Sequence, residues 1–231
     1  MSERFFLASP PATGRAVLTG DEARHLSRVL RAAVGDEVLL FDGCGRSWPA
    51  RVAVIGRDTV ELETGEPRIE RADGTRLTLA VALPKGERQK WLVEKLTELG
   101  VAKLVPLVTE RGVAEATPAA VARLERGVIE ASKQCGRDTL MEIAAPASVA
   151  ALVAATPAGV IGLVADPQGQ PLDAAGWPAT TEVIALVGPE GGFSPAELAL
   201  AEAAGWPRIT LGHYVLRIET AAMALAARLA D

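Results

Sequence analysis

Alternating apolar and polar positions fill the first third of the chain and favour short strands. The pattern predicts strands at residues 4–8, 15–18, 37–41, 50–55 and 59–63, with glycines between them to supply turns. One helical pattern, at residues 21–33, interrupts the series. We therefore predict a small β-barrel over residues 1–72, joined to the rest of the chain by a polar linker at residues 66–74.

Strand and helix patterns alternate from residue 75 onward. Strands are predicted at 77–83, 102–108, 160–165, 183–187 and 209–211, and helices at 87–99, 118–135, 149–155, 195–204 and 219–229. Thr117 and Pro118 can begin one of these helices, and Ser194 forms a capping box with Glu197 before another. The alternation predicts an α/β domain over residues 73–231, with a mostly parallel sheet covered by helices.

Composition is that of a folded protein. With 231 residues, 49% of them hydrophobic, the chain can bury the cores of one or two domains. The uncharged stretch at residues 143–165 has the length of a membrane span, but prolines and glycines interrupt it and indicate a buried helix followed by a strand.

Cys44 and Cys135 form no CxxC site, and no signal-peptide core precedes Pro10. We expect a reduced, cytoplasmic setting and no membrane partner.

The net charge of −5 would ordinarily argue against a nucleic-acid partner. The distribution changes that expectation, because residues 138–207 hold eight acids and no Lys or Arg, whereas residues 24–57 hold six arginines and three acids. Basic residues on the helix from Pro118 follow spacings of seven and four and share one face. An anionic polymer is favoured, with a solvated surface of scattered ion pairs as the alternative. The basic residues concerned are Arg24, Arg28, Arg31, Arg126, Lys133 and Arg137.

Two glycine-containing segments follow predicted strands. Residues 186–194 lie between an apolar strand and a capped helix, and residues 211–221 lead from the last strand into the last helix. Ligands bind at such strand ends in open α/β sheets, and glycines let the backbone approach a flat or bulky ligand. The first segment matches neither a P-loop nor a dinucleotide fingerprint. The structural alternatives are a tight turn that needs glycine and an Arg217–Glu219 pair near the helix start.

A third segment, residues 130–137, brings a helix end, an amide and two cations together. Its Cys135 has no identifiable base nearby, and an apolar helix face leads to it. A packed cysteine is therefore favoured over a nucleophile. The two histidines, His25 and His213, show no metal-ligand spacing, so we predict no metal site.

These segments carry a resemblance to a known family. Gly188-Pro189-Glu190-Gly191-Gly192-Phe193-Ser194, and Leu211-Gly212 with residues 216–221, resemble the paired C-terminal motifs of the ribosomal RNA small subunit methyltransferase E family. This family belongs to the SPOUT class of knotted methyltransferases. Residues 134–137 resemble its helix-end motif, residues 25–43 its N-terminal PUA-like domain, and residues 85–101 the start of its catalytic domain. The likeness covers nearly the whole chain.

The resemblance implies S-adenosyl-L-methionine as the methyl donor and N3 of one uridine in small-subunit (16S) ribosomal RNA as the acceptor. It implies that the partner is this RNA or the assembled small subunit, bound by the basic residues named above. It also implies a homodimer, an N-terminal PUA-like β-barrel, and a C-terminal SPOUT-type parallel sheet with a trefoil knot. Tyr214 departs from the family, which commonly has Arg at that position.

For the reaction that the resemblance implies, we hypothesise the following roles for the site residues. Glu190 or Glu219 would accept the N3 proton, or Arg217 would stabilise the anion on the neighbouring carbonyl oxygens. The donor would be bound by Val164, Val187, Gly188, Pro189, Gly191, Gly192, Leu211, Gly212, Val215, Leu216, Thr220 and Ala221. Two alternatives stay open: a non-catalytic RNA-binding or ribosome-assembly module, and a SPOUT methyltransferase that acts on transfer RNA or on a 2'-hydroxyl.

Overall fold

The computed structural model describes residues 3–70, 74–173, 177–178 and 181–230. Residues 71–73, inside the predicted linker, lie outside the described residues. The chain forms two compact units, Met1–Ala72 with Ser132–Leu140, and Asp73–Ala131 with Met141–Asp231. The segment Ser132–Leu140, which the sequence placed with the second domain, therefore belongs to the first unit.

Strands of the first unit form a six-stranded sheet in its described part. They are β1 (Arg4–Phe6), β2 (Arg15–Thr19), β3 (Glu37–Phe41), β4 (Arg46–Ile55), β5 (Thr59–Thr64) and β6 (Arg68–Ile69). The order is β1-β3-β4-β5-β2, with β6 on β4, and β1 lies parallel to β3 while the other pairs are antiparallel. Alternate side chains face inward, so Leu18, Val52 and Leu62 are buried together.

The helix predicted at residues 21–33 is shorter and changes type. Helix α1 (Gly20–Arg24) continues as a π-helical turn, His25–Val29, in which Leu30 N donates to the His25 carbonyl at 3.0 Å. Arg31 then takes a left-handed φ of 55°, which ends the helical path. Ala23 and Leu26 face the core, whereas Val29 is exposed. Helical spacing alone did not reveal this break.

Contacts within the first unit account for the position of Ser132–Leu140. Arg4 Nη2 donates to Asp138 Oδ1 at 2.5 Å, and Leu140 N donates to the Gly43 carbonyl at 2.9 Å. Cys135, at the end of its helix, is exposed. The packed-cysteine prediction is therefore wrong, because the buried face ends at Ala131 and Ser132, one turn earlier.

The second unit is an α/β domain with a parallel sheet, as predicted. Its strands are β7 (Arg76–Val81), β8 (Lys103–Val108), β9 (Glu142–Ile143), β10 (Ala147–Ser148), β11 (Ile161–Pro171), β12 (Glu182–Val187) and β13 (Arg208–Thr210). Its helices are α2 (Arg88–Glu98), α3 (Pro118–Cys135), α4 (Val149–Ala155), α5 (Pro195–Ala203) and α6 (Ile218–Leu229). Helix α3 extends to Cys135, so its last turn belongs to the first unit.

Strand order in this sheet is β10-β8-β7-β12-β11-β13, with β9 on β8, and every described pairing is parallel. The central strands are continuous apolar runs, because helices cover the sheet. After β13 at the sheet edge the chain returns, and α6 packs against α2, β7 and β12. The segments after β12 and β13 therefore meet at the carboxyl edge of the sheet.

The helix boundaries follow local capping chemistry. Ser194 Oγ accepts from Glu197 N at 3.3 Å, and Glu197 Oε2 accepts from Ser194 N at 2.7 Å, so the predicted capping box is confirmed. Thr117 Oγ1 accepts from Ala120 N at 3.3 Å at the start of α3. No helix within the described ranges is long and apolar enough to cross a membrane.

Candidate active site

A pocket of about 700 Å³, counting the space open to solvent, lies at the carboxyl edge of the parallel sheet. Its walls come from the middle of β11, the end of β12 with the segment after it, the end of β13 with the segment that leads to α6, and the first turn of α6. The strand-end location is the usual ligand position in open α/β sheets.

Eight of the predicted donor-binding residues line this pocket: Val187, Gly188, Pro189, Gly192, Leu211, Val215, Leu216 and Ala221. Four do not line it: Val164, Gly191, Gly212 and Thr220. Val164 is buried inside the sheet opposite Leu186, and Gly191 lies against Arg111. The lining residues come from both glycine-containing segments.

The first segment brings its backbone to the pocket at two glycines. A Cβ on Gly188 would lie 2.9 Å from Cε2 of Phe193, so only glycine fits between the strand end and that ring. Gly192 has a φ of +67°, a left-handed conformation that favours glycine. Gly188 and Gly192 therefore present backbone without a side chain at these two positions of the pocket.

Arg111 fixes the same segment from outside. Its Nη1 donates to the carbonyl oxygens of Gly191 at 2.8 Å and Phe193 at 3.3 Å. Glu197, which caps α5, also accepts from Glu110 N at 3.0 Å through its other carboxylate oxygen. Two charged side chains thus tie residues 190–194 to the loop that follows β8.

The second segment is held by α6. Arg228 Nη2 donates to the Leu211 carbonyl at 3.2 Å, and Thr210 Oγ1 donates to the Gly212 carbonyl at 3.0 Å. Tyr214 lines the pocket with 81% of its surface exposed, and its ring meets His213 edge-on at 5.7 Å between centroids. An exposed aromatic ring therefore borders the pocket.

The three predicted catalytic residues occupy different environments. Glu190 lines the pocket, and its side chain is 46% exposed. Glu219 is buried in the first turn of α6, and Arg88 Nη1 lies 3.3 Å from Glu190 Oε1 and 3.7 Å from Glu219 Oε2. Arg217, the residue before α6, is exposed, and its carbonyl oxygen accepts from Ala221 N at 2.9 Å. The structure thus links the two carboxylates through Arg88 and leaves Arg217 facing solvent.

Sequence reasoning missed three charged residues around the site: Arg88, Arg111 and Asp166. Asp166 lines the pocket after the buried part of β11, where its Oδ1 accepts from Gln168 N at 2.7 Å. An acid directly after an apolar strand was a usable signal for Asp166. Arg88 and Arg111 approach the site from distant parts of the chain, and no local pattern marks them.

The predicted RNA-binding residues divide into two groups. Arg24, Arg28, Arg31 and Arg126 are exposed; Arg24 pairs with Asp21, and Arg28 Nη2 lies 3.6 Å from Asp58 Oδ1. Lys133 is only 12% exposed in its side chain, and its Nζ donates to Glu22 Oε1 at 2.9 Å. Burial lowers the pKa of the Arg137 guanidinium from its ordinary value. Lys133 and Arg137 are therefore part of the packing of the first unit.

Two models of known protein families match this chain, one over each unit. The family model described as an RNA methyltransferase domain matches residues 71–230, and the one described as an RNA methyltransferase PUA domain matches residues 18–64. Ribosomal RNA small subunit methyltransferase E of Synechocystis is 34% identical, over 88% of this chain and 69% of that protein. The protein of the same name from Mycobacterium bovis is 32% identical, over 94% of this chain and 87% of that protein.

A solved structure agrees with these matches. The crystal structure of a ribosomal RNA small subunit methyltransferase E from Neisseria gonorrhoeae, bound to S-adenosyl methionine, superposes with a TM-score of 0.90. That protein is 28% identical, with 99% of this chain and 96% of the other covered. The resemblance drawn from the motifs is confirmed, and the chain belongs to the ribosomal RNA small subunit methyltransferase E family.

Proposed function

We propose that this protein transfers the methyl group of S-adenosyl-L-methionine to N3 of one uridine in small-subunit ribosomal RNA. The observation that carries the proposal is the pocket at the strand ends, with residues 187–190, 192 and 193 as one wall. Family membership supports the reaction class, and the Neisseria relative was crystallised with this donor. The reaction would take place in the cytoplasm, where ribosomal RNA is assembled.

The residues present fit the proposed donor. Gly188 and Gly192 line the pocket without side chains, so a ligand can approach the backbone there. Apolar side chains such as Val187, Leu216 and Ala221 can cover a flat base, while the Asp166 carboxylate can accept hydrogen bonds from hydroxyl or ammonium groups. When bound, the sulfonium supplies an activated methyl group, and the protein's task is to align the acceptor with it.

The acceptor requires removal of a proton, since uridine N3 is protonated in the neutral base. Glu190 is the proton acceptor in our proposal, because it lines the pocket and is partly exposed. Arg217, exposed at the start of α6, would stabilise the negative charge that develops on the uridine carbonyl oxygens. Glu219, buried behind Arg88, would act by holding charged groups in place.

RNA binding would use the exposed arginines. Arg24, Arg28 and Arg31 on the PUA-like unit, which we propose to be a closed barrel, and Arg126 on α3 would contact phosphates. The target uridine would be presented unstacked, from naked RNA or from the assembled small subunit.

Two further family features belong to the proposal. The return of the chain from β13 at the sheet edge to α6 on β7 and β12 supports a trefoil knot in this region. We also propose a homodimer, on the strength of the family resemblance. Light scattering would measure its mass in solution.

Calorimetry with S-adenosyl-L-methionine separates the enzyme from a non-catalytic RNA-binding module, because the module has no need for the donor. Single-turnover methylation by Glu190→Gln, Glu219→Gln and Arg217→Ala then tests the roles. We expect each variant to bind the donor and to methylate at least tenfold more slowly. Full rates in Arg217→Ala and Glu219→Gln, with donor binding unchanged, would overturn their assignments.

A further inference from the structure

Arg88 lies between the two acids of the site although it was not identified from the sequence. It occupies the first turn of α2, and one nitrogen, Nη1, faces Glu190 on the pocket wall and Glu219 in the first turn of α6. We propose that Arg88 is a positioning residue for methyl transfer, which holds the Glu190 carboxylate at the pocket by anchoring it to buried Glu219. This inference rests on the proposed function and adds a residue to its machinery.

Burial of Glu219 fixes one end of this arrangement. The Glu219 side chain is 5% exposed, and its Oε2 has no hydrogen-bond partner among the described residues. Arg88 is the cation within ion-pair distance of that carboxylate in the described part of the chain. A buried carboxylate without a cation is strongly unfavourable. The Glu219 carboxylate therefore keeps the Arg88 guanidinium beside it.

Exposure of Glu190 makes the other end dependent on Arg88. Glu190 lies between Pro189 and Gly191 with nearly half of its side chain in solvent. An exposed glutamate has several rotamers of similar energy, so without a fixed partner it would spend little time in one orientation. The 3.3 Å contact from Arg88 Nη1 to Glu190 Oε1 selects one orientation at the pocket wall. Misplacement of a reacting group by about 1 Å can lower a rate about 100-fold.

The test compares Arg88→Met, Arg88→Lys and the double variant Arg88→Met/Glu219→Gln. Arg76→Met is the matched control. Arg76 Nη1 makes a 3.8 Å ion pair with Glu182 at the amino ends of β7 and β12, opposite the strand ends that form the pocket. Donor Kd, melting temperature and single-turnover rate at saturating donor and RNA are measured for each. We expect Arg88→Met to lower the single-turnover rate by about 10- to 100-fold with donor Kd changed less than about threefold. Arg88→Lys should recover part of the rate.

The double variant separates positioning from stability, because it removes the cation together with the charge that the cation neutralises. We expect it to regain the melting temperature of the wild-type protein while the methylation rate stays low. A rate that recovers in step with melting temperature would overturn the positioning role, and so would a wild-type rate in Arg88→Met.

A double-mutant cycle of Arg88→Met and Glu190→Gln tests whether Arg88 acts through Glu190. Adding Arg88→Met to Glu190→Gln should change the rate by less than about twofold, because the two residues act as one unit. Additive effects would contradict this route. If the wild-type protein binds no donor and methylates no RNA, the proposed function fails and this inference falls with it. If the wild-type protein is active and Arg88→Met matches it, only the role of Arg88 is overturned.

Discussion

Phe193 packs its ring over Gly188 so closely that a Cβ atom on Gly188 would lie 2.9 Å from ring atom Cε2. We predict that Gly188→Ala displaces Phe193 into the pocket or shifts the strand end, at about 1–3 kcal/mol of unfolding free energy, and weakens donor binding. Gly191→Ala is the matched control, because its Cβ would lie 3.5 Å from Arg111 Cδ, an ordinary contact distance. Calorimetry and thermal unfolding measure both effects. Equal donor affinity in the two variants would show that this wall does not contact the donor.

Arg111 provides a second test of the same wall. Arg111→Met removes two hydrogen bonds to the carbonyl oxygens of Gly191 and Phe193, so residues 190–193 become free to move. We expect donor Kd to rise about five- to tenfold, the equivalent of about 1 kcal/mol, with little change in melting temperature. Arg76→Met should leave donor Kd unchanged. A Kd for Arg111→Met within twofold of the wild-type value would mean that the wall is rigid without this residue.

Substitution of Lys133 should lower the stability of the protein, whereas substitution of Arg126 should weaken RNA binding. Lys133 donates to Glu22 at 2.9 Å, and its Nζ lies 5.6 Å from the centre of the Phe5 ring, so Lys133→Met should destabilise the first unit by about 2 kcal/mol. Arg126 is exposed, so Arg126→Met should leave stability within about 0.5 kcal/mol and reduce the salt slope of RNA binding by about one. Thermal unfolding measures the stability of each variant, and RNA binding at several salt concentrations measures the salt slope. A reduced salt slope in Lys133→Met without loss of stability would identify Lys133 as a phosphate contact.

Ionisation of Asp42 should make the stability of the first unit depend on pH at acidic pH. Burial raises the pKa of this carboxyl, but hydrogen bonds from Cys44 N and from Arg46 outweigh it, so the pKa lies below the ordinary value of 3.8. The resulting stability is present above pH 3.8 and is lost as the pH falls through the lowered pKa. Asp42→Asn should therefore be less stable than the wild-type protein at pH 7, with the difference shrinking below pH 3.8. A pH-independent difference for Asp42→Asn would contradict the linkage.

Local chemistry explains which parts of the fold could be predicted. Helix α3 was predicted at its observed bounds from Thr117, Pro118 and Gly136, and α5 from its capping box. The apolar runs at residues 160–165 and 183–187 likewise predicted buried strands, which lie in β11 and β12. Each of these signals lies within a few residues of the element it specifies.

Long-range contacts explain what the sequence did not reveal. The inclusion of Ser132–Leu140 in the first unit depends on contacts such as Arg4 to Asp138, which no local pattern encodes. Arg111 meets Gly191 from 80 residues away, and Arg88 meets Glu190 across an even longer separation. The two glycine-containing segments were found because glycine is required where they stand, whereas the charged residues around them have no such local requirement.

Mapping the methyl group tests the central claim most directly. Small subunits purified from a strain that lacks this protein are incubated with the protein and labelled S-adenosyl-L-methionine, and the modified nucleoside is identified by mass spectrometry. We predict one new methyl group, at N3 of a single uridine in the small-subunit RNA. No incorporation into small subunits or their naked RNA, or a methyl group on a 2'-hydroxyl, would contradict the account.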